Sequence, residues 1–138
     1  MGRIEDKKQA VERFIRELEE VLPSDYEEYQ SNLSKKLASE RAFEKIIESV
    51  NDLAILWIKE KRLQLPSEDE KAFDILANSK LINEKLARRL KKAKGMRNIL
   101  AHQYDNLDEE TIFEALQKEI IIDAEEFLEA FGRRMGNM

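Results

Sequence analysis

Arg97, Asn98, His102 and Tyr104 fall within eight positions of one another, and His102 is the only histidine of the chain. A permanent cation, an amide, a side-chain type that titrates near neutrality and a phenol are the parts needed to handle a phosphate ester. On RNA, His102 would exchange the proton of the ribose 2′-hydroxyl or of the leaving 5′-oxygen. Arg97 would stabilise the extra negative charge of the pentavalent phosphate. Asn98 would fix the imidazole tautomer or donate to the phosphate, and Tyr104 would position the phosphate or a base. Such a reaction leaves a 2′,3′-cyclic phosphate and needs the hydroxyl that RNA carries. It calls for no metal and no cofactor, and the chain has no cysteine with which to build a thiolate site or a disulfide.

These residues close a segment with helical periodicity that starts near Glu84 and carries Leu86, Leu90, Ala93 and Leu100 on one face. Arg97 falls within about 60° of Leu86, Leu90 and Leu100 at 100° per residue, so it projects from the apolar side. An arginine there needs an anion, a carbonyl cluster or a cleft, and an ion pair with a carboxylate on another helix is the plain structural alternative. His102 lies about 140° further round the same helix. Either the helix breaks near His102, or two copies of the segment meet across a symmetric dimer. Asn98 and His102 are i and i+4 neighbours, within reach of a hydrogen bond. Gly95 is expected to interrupt the helix and to permit close approach of another backbone.

The net charge of −5 argues against general nucleic-acid stickiness, yet the distribution is uneven. Lys85, Arg88, Arg89, Lys91, Lys92, Lys94 and Arg97 follow one another with no acidic residue before Asp105, whereas the other 17 basic residues share the chain with 29 acidic ones. The run suits a local polyanion site, with Lys85, Arg88, Arg89, Lys91, Lys92 and Lys94 as candidate RNA contacts, or it is a solvated helix face.

The elements that must hold this segment read as helices throughout. At 138 residues, with four glycines and two prolines, the chain suits one all-α domain over residues 1–138, an up-and-down bundle of about five helices. The first helix is expected over Ile4–Val21, with Val11, Phe14, Ile15, Leu18 and Leu22 at amphipathic spacing. Pro23-Ser24-Asp25 leads into a short helical turn through Tyr26 and Tyr29. The longest helix spans Leu33–Lys61 on a stripe from Leu37 through Phe43, Ile46, Val50 and Leu53 to Trp57, which is read as core. Ser67-Glu68-Asp69-Glu70 reads as a capping box for a short helix burying Phe73 and Leu76. Asn83 is the expected N-cap of the fourth helix. The last follows a turn at Asp105-Asn106-Leu107-Asp108 and runs through Ile112, Leu116, Ile120, Ala124, Phe127 and Phe131. The charged opening residues lack the apolar core of a signal peptide, and the longest apolar run, Leu53 to Ile58, is too short to span a bilayer. A cytoplasmic protein with no membrane association is expected.

The segment resembles the R-x-x-x-x-H-x-Y motif of HEPN-domain ribonuclease toxins, specifically the HepT-like group. Arg41-Ala42-Phe43-Glu44-Lys45-Ile46-Ile47 resembles that family's second-helix signature. The spans Ala72–Leu76 through Leu90, Gly95–Asn98 and His102–Asp105 resemble its third and fourth helices. The resemblance implies a dimeric bundle that brings the motifs of two protomers into one cleft. It implies a metal-independent RNA endonuclease acting as the toxin of a toxin–antitoxin pair, with Arg97, Asn98, His102 and Tyr104 as its site. It further implies an MNT-type nucleotidyltransferase antitoxin as partner, with Tyr104 as acceptor of silencing AMP groups. The alternative is a non-catalytic helical module that binds nucleotide or serves a nucleotidyltransferase.

Overall fold

The computed structural model of the protein describes residues 2–102 and 108–135. Those residues are helical with short connections, and none of their helices is long and apolar enough to cross a membrane.

Helix α1 (Gly2–Val21) buries Val11, Ile15 and Leu18, the i, i+4, i+7 row that an amphipathic helix turns inward. Pro23 follows and is itself buried, and Asp25 caps α2 (Tyr26–Ser31) by accepting the Glu28 amide at 2.8 Å. Asn32 serves two helices at once. Its backbone amide closes α2 on the Glu28 carbonyl at 2.8 Å, and its side-chain oxygen accepts the Lys35 amide at 3.0 Å to start α3.

Helix α3 (Leu33–Glu60) is the axis of the bundle, 28 residues or about 42 Å long. Phe43, Ile46, Ile47, Val50, Leu53, Ala54, Trp57 and Ile58 are all fully buried on it. Trp57 stands edge-on to Phe127 and Phe131, with ring centroids 5.8 and 5.1 Å away, so its indole is core. Leu37, expected in the apolar stripe, is 48% exposed, because the inward face begins two to three residues later, at Ser39 and Glu40.

Two helices stop without glycine. Arg62, at φ 58°, follows α3 and Lys80, at φ 62°, follows α4 (Lys71–Asn78). In each case the two amides after the cap turn back: Arg62 to Lys59 and Leu63 to Ile58, Lys80 to Ala77 and Leu81 to Leu76. This is the paired closure that usually recruits glycine. The capping box expected at Ser67 does not form. The chain enters α4 through successive i to i−3 backbone bonds at Lys71, Ala72 and Phe73, so the N-cap position falls at Glu70, three residues beyond Ser67, and no side chain caps this end.

Helix α5 (Glu84–His102) starts as expected at Asn83, whose side chain accepts the Leu86 amide at 2.7 Å. It runs through Gly95 without a break, and a Cβ at Gly95 would meet nothing within 4 Å. The interruption and close approach expected there are therefore absent within the chain. Helix α6 (Glu109–Glu114) is capped by Asp108 and passes through a π-type turn, Ala115–Glu119, into α7 (Ile120–Met135). The buried row Ile112, Leu116, Ile120, Ala124 recurs every four residues, and a pure α-helix would drift by about 120° over that span. The wider π turn takes up part of the drift and keeps the row on the core.

Candidate active site on the fifth helix

The inner face of α5 is built from Leu86, Ala87, Leu90 and Leu100, which α3, α4 and α7 bury. Two cations share that face. Lys94 continues the i, i+4 row Leu86–Leu90–Lys94 and keeps only 8% of its side chain exposed; Arg97, one turn on, keeps 27%. Glu48 of α3 supplies the counter-charge to both. Its Oε2 accepts a short hydrogen bond from Lys94 Nζ and lies 3.3 Å from Arg97 Nε. The second contact has ion-pair distance but not hydrogen-bond geometry, and the buried Nε–H has no hydrogen-bond acceptor. Arg97 Nη1 donates to Asn98 Oδ1 at 3.2 Å.

The amide of Asn98 is thus turned to Arg97, and among the described residues no hydrogen bond joins it to His102. His102 is the last described residue of α5 and is exposed. Since α5 is regular to that point, the separation of about 140° between Arg97 and His102 stands. A single chain therefore presents a cation site and a histidine site on different sides of one helix, and does not join them. Tyr104 and the turn expected over Asp105-Asn106-Leu107 lie outside the described residues.

The basic run divides into two sets. Lys85, Arg88 and Lys92 are exposed and carry no ion pair among the described residues. Arg89 is held by α7, with Nε 2.8 Å from Asp123 Oδ1 and Nη2 2.7 Å from Glu126 Oε1; Lys91 is 2.8 Å from Asp74 of α4. Together with Lys94 these side chains fasten α5 to its neighbours, so three of the six expected RNA contacts already have anions inside the chain. Asp123 is buried, which pushes its carboxyl above the ordinary aspartate range, while the hydrogen bond and charge of Arg89 work against that rise. A cavity of about 320 Å³ lies beside α5, between Met96, Phe43 and the π turn, and holds neither Arg97 nor His102.

Sequence reasoning missed Glu48, because nothing local marks which carboxylate of α3 will face α5. The inward position of Lys94 was legible in its spacing from Leu86 and Leu90. Also missed was the polar cluster at the end of the bundle. There the Tyr29 hydroxyl donates to buried Glu40, and Lys36 lies 3.1 Å from Glu40 and 3.4 Å from Glu109. Burial and the Glu40 carboxylate hold the Tyr29 phenol well above its ordinary range. The Lys36–Glu109 pair ties the start of α6 to α3, just beyond the segment that contains Tyr104.

Residues 11–131 match the family described as ribonuclease HepT-like. An mRNA nuclease HepT of Shewanella oneidensis is 30% identical over 82 residues, which span 59% of this chain and 61% of that protein. A tRNA nuclease HepT of Aphanizomenon flos-aquae is 23% identical over 113 residues, 82% of this chain and 77% of the relative. The fold is that of the tri-AMPylated Shewanella oneidensis HEPN toxin solved in complex with an MNT antitoxin, with a TM-score of 0.86 at 24% identity, covering 94% of this chain and 96% of that one. The chain belongs to the HepT-like ribonuclease family.

Proposed function

We propose that the protein is a metal-independent endoribonuclease, the toxin of a cytoplasmic toxin–antitoxin pair, whose site is shared between two protomers. One observation carries the reading: α5 is unbroken through His102, so Arg97 and His102 diverge within a chain while both keep exposed surface. A two-fold axis near the end of α5 would bring Arg97 of one copy to His102 of the other. Family membership and the nuclease relatives support the chemistry.

In this reading the ribose 2′-oxygen attacks phosphorus as the bond to the 5′-oxygen breaks. His102 handles the proton, and the products are a 2′,3′-cyclic phosphate and a 5′-hydroxyl. Arg97 bears on the phosphate oxygens, with Asn98 holding one guanidinium nitrogen. Lys85, Arg88 and Lys92 meet the RNA backbone. Tyr104 is the acceptor through which an MNT-type nucleotidyltransferase partner transfers AMP and silences the site; the tri-AMPylated relative in its antitoxin complex supports this part. An attached phosphodiester beside Arg97 would exclude the substrate by bulk and by charge.

The test is cleavage of RNA by the purified protein in EDTA. Cyclic-phosphate ends are expected, with a loss of about a hundredfold or more in His102→Ala. Equal cleavage by His102→Ala and wild type would refute the reading.

A further inference from the structure

Lys94 and Arg97 are i and i+3 on α5, so two like charges stand side by side on the face that meets α3. The Lys94 ammonium is nearly enclosed, at 8% side-chain exposure, and a cation in that position needs an anion. Glu48 provides it through the short Lys94 hydrogen bond. The same oxygen reaches Arg97 Nε at 3.3 Å, on the inner side of the guanidinium. Glu48 and Lys94 cancel in charge, and the three-residue cluster keeps one net positive charge, that of Arg97. With Nε facing Glu48 and Nη1 tied to Asn98, Nη2 has no partner among the described residues and is left for an incoming anion.

We infer that Glu48, itself held by Lys94, is a positioning residue that sets the Arg97 guanidinium for the scissile phosphate, an inference that rests on the ribonuclease reading above. Glu48 does not touch substrate. It acts through charge, drawing the inner, Nε side of Arg97 toward α3 and offsetting the repulsion from Lys94, so that the guanidinium approaches the phosphate with its free edge. Lys94, which the sequence places with the RNA contacts, belongs to this support.

The experiment must separate positioning from the plain need of Lys94 for a counter-ion. Glu48→Gln alone leaves the lysine unpaired and will destabilise the fold in either case. The double variant Glu48→Gln/Lys94→Met removes one charge of each sign, orphans neither, and keeps the net charge of the cluster. The expected result is a melting temperature near wild type, a KM for RNA within about twofold, and kcat lower by tenfold or more, on the order of what a misplaced catalytic group costs. Recovery of kcat together with stability in the double variant would overturn the proposal, since Glu48 would then matter only to Lys94.

A second readout does not depend on cleavage. The Arg97 Nε–Hε resonance, assigned by its loss in Arg97→Lys, is expected to be sharp in the wild type and exchange-broadened in the double variant. An unchanged resonance would also overturn the proposal. If wild type cleaves no RNA, or Arg97→Ala cleaves as well as wild type, it is the ribonuclease reading that fails, and the resonance still decides whether Glu48 holds Arg97.

Discussion

Arg97 and His102 stand five residues apart on an unbroken helix, about 140° round its axis, so within one chain they look away from each other. Arg97 faces α3 and is held by Glu48 and Asn98. His102 is exposed to solvent. The shared site proposed above requires a second copy to close that angle.

The exposed basic residues should act on RNA as charges. Replacing Lys85, Arg88 and Lys92 together by Gln is expected to weaken RNA binding and to leave the melting temperature unchanged. The plot of log affinity against log salt should become shallower by about 2, from roughly 0.7 per phosphate contact on a single strand. An unchanged slope would make these residues a solvated face.

Arg89 should behave in the opposite way. Arg89→Ala is expected to cost about 1–2 kcal/mol, because it leaves Asp123 buried without its cation, and the partial exposure of Arg89 keeps the figure below that of a fully enclosed pair. Asp123 is already raised by burial, and Arg89 is what pulls it back. Without Arg89 the native chain holds that proton more tightly than the unfolded chain does. The deficit is therefore full at neutral pH and shrinks as pH falls through the raised Asp123 range toward ordinary aspartate values. Urea unfolding of wild type and variant at several pH values checks both the size and the sign.

Arg62 occupies a left-handed position that costs a residue with a Cβ about 1–2 kcal/mol. Arg62→Gly should relieve it and, after the extra freedom gained by the unfolded chain, raise stability by about 0.5–1 kcal/mol. Thermal unfolding measures this. A lower melting temperature would show that the arginine side chain supplies something the closing hydrogen bonds do not.

The parts legible in the sequence are those set by neighbours along the chain. Val11, Ile15 and Leu18, the bounds of α3, the Asn83 cap and the buried Trp57 all follow from spacing and capping chemistry. Gly95 misleads, because glycine is read as a break, whereas α5 carries it mid-helix and the real stops fall at Arg62 and Lys80, where backbone closure supports an unfavourable residue. The π turn at Ala115–Glu119 is hidden in a four-residue repeat that looks like ordinary amphipathicity. The partners of Arg89, Lys91, Lys94 and Arg97 come from α7, α4 and α3, at sequence distances that no local pattern encodes. The motif could be found by residue type, but the division of its cations into supporting and exposed sets needed the packed bundle.

The shared site is tested most directly by mixing two inactive proteins. Arg97→Ala and His102→Ala should each be nearly inactive as homodimers. Unfolded together and refolded at equal amounts, half of the dimers should be mixed. Each mixed dimer then holds one site that lacks both groups and one that pairs an intact Arg97 with an intact His102. Cleavage should return to about a quarter of the wild-type rate per protomer, as two-fold symmetry requires. If the mixture cleaves no faster than the two variants measured separately, Arg97 and His102 do not work across an interface, and the shared-site account is contradicted.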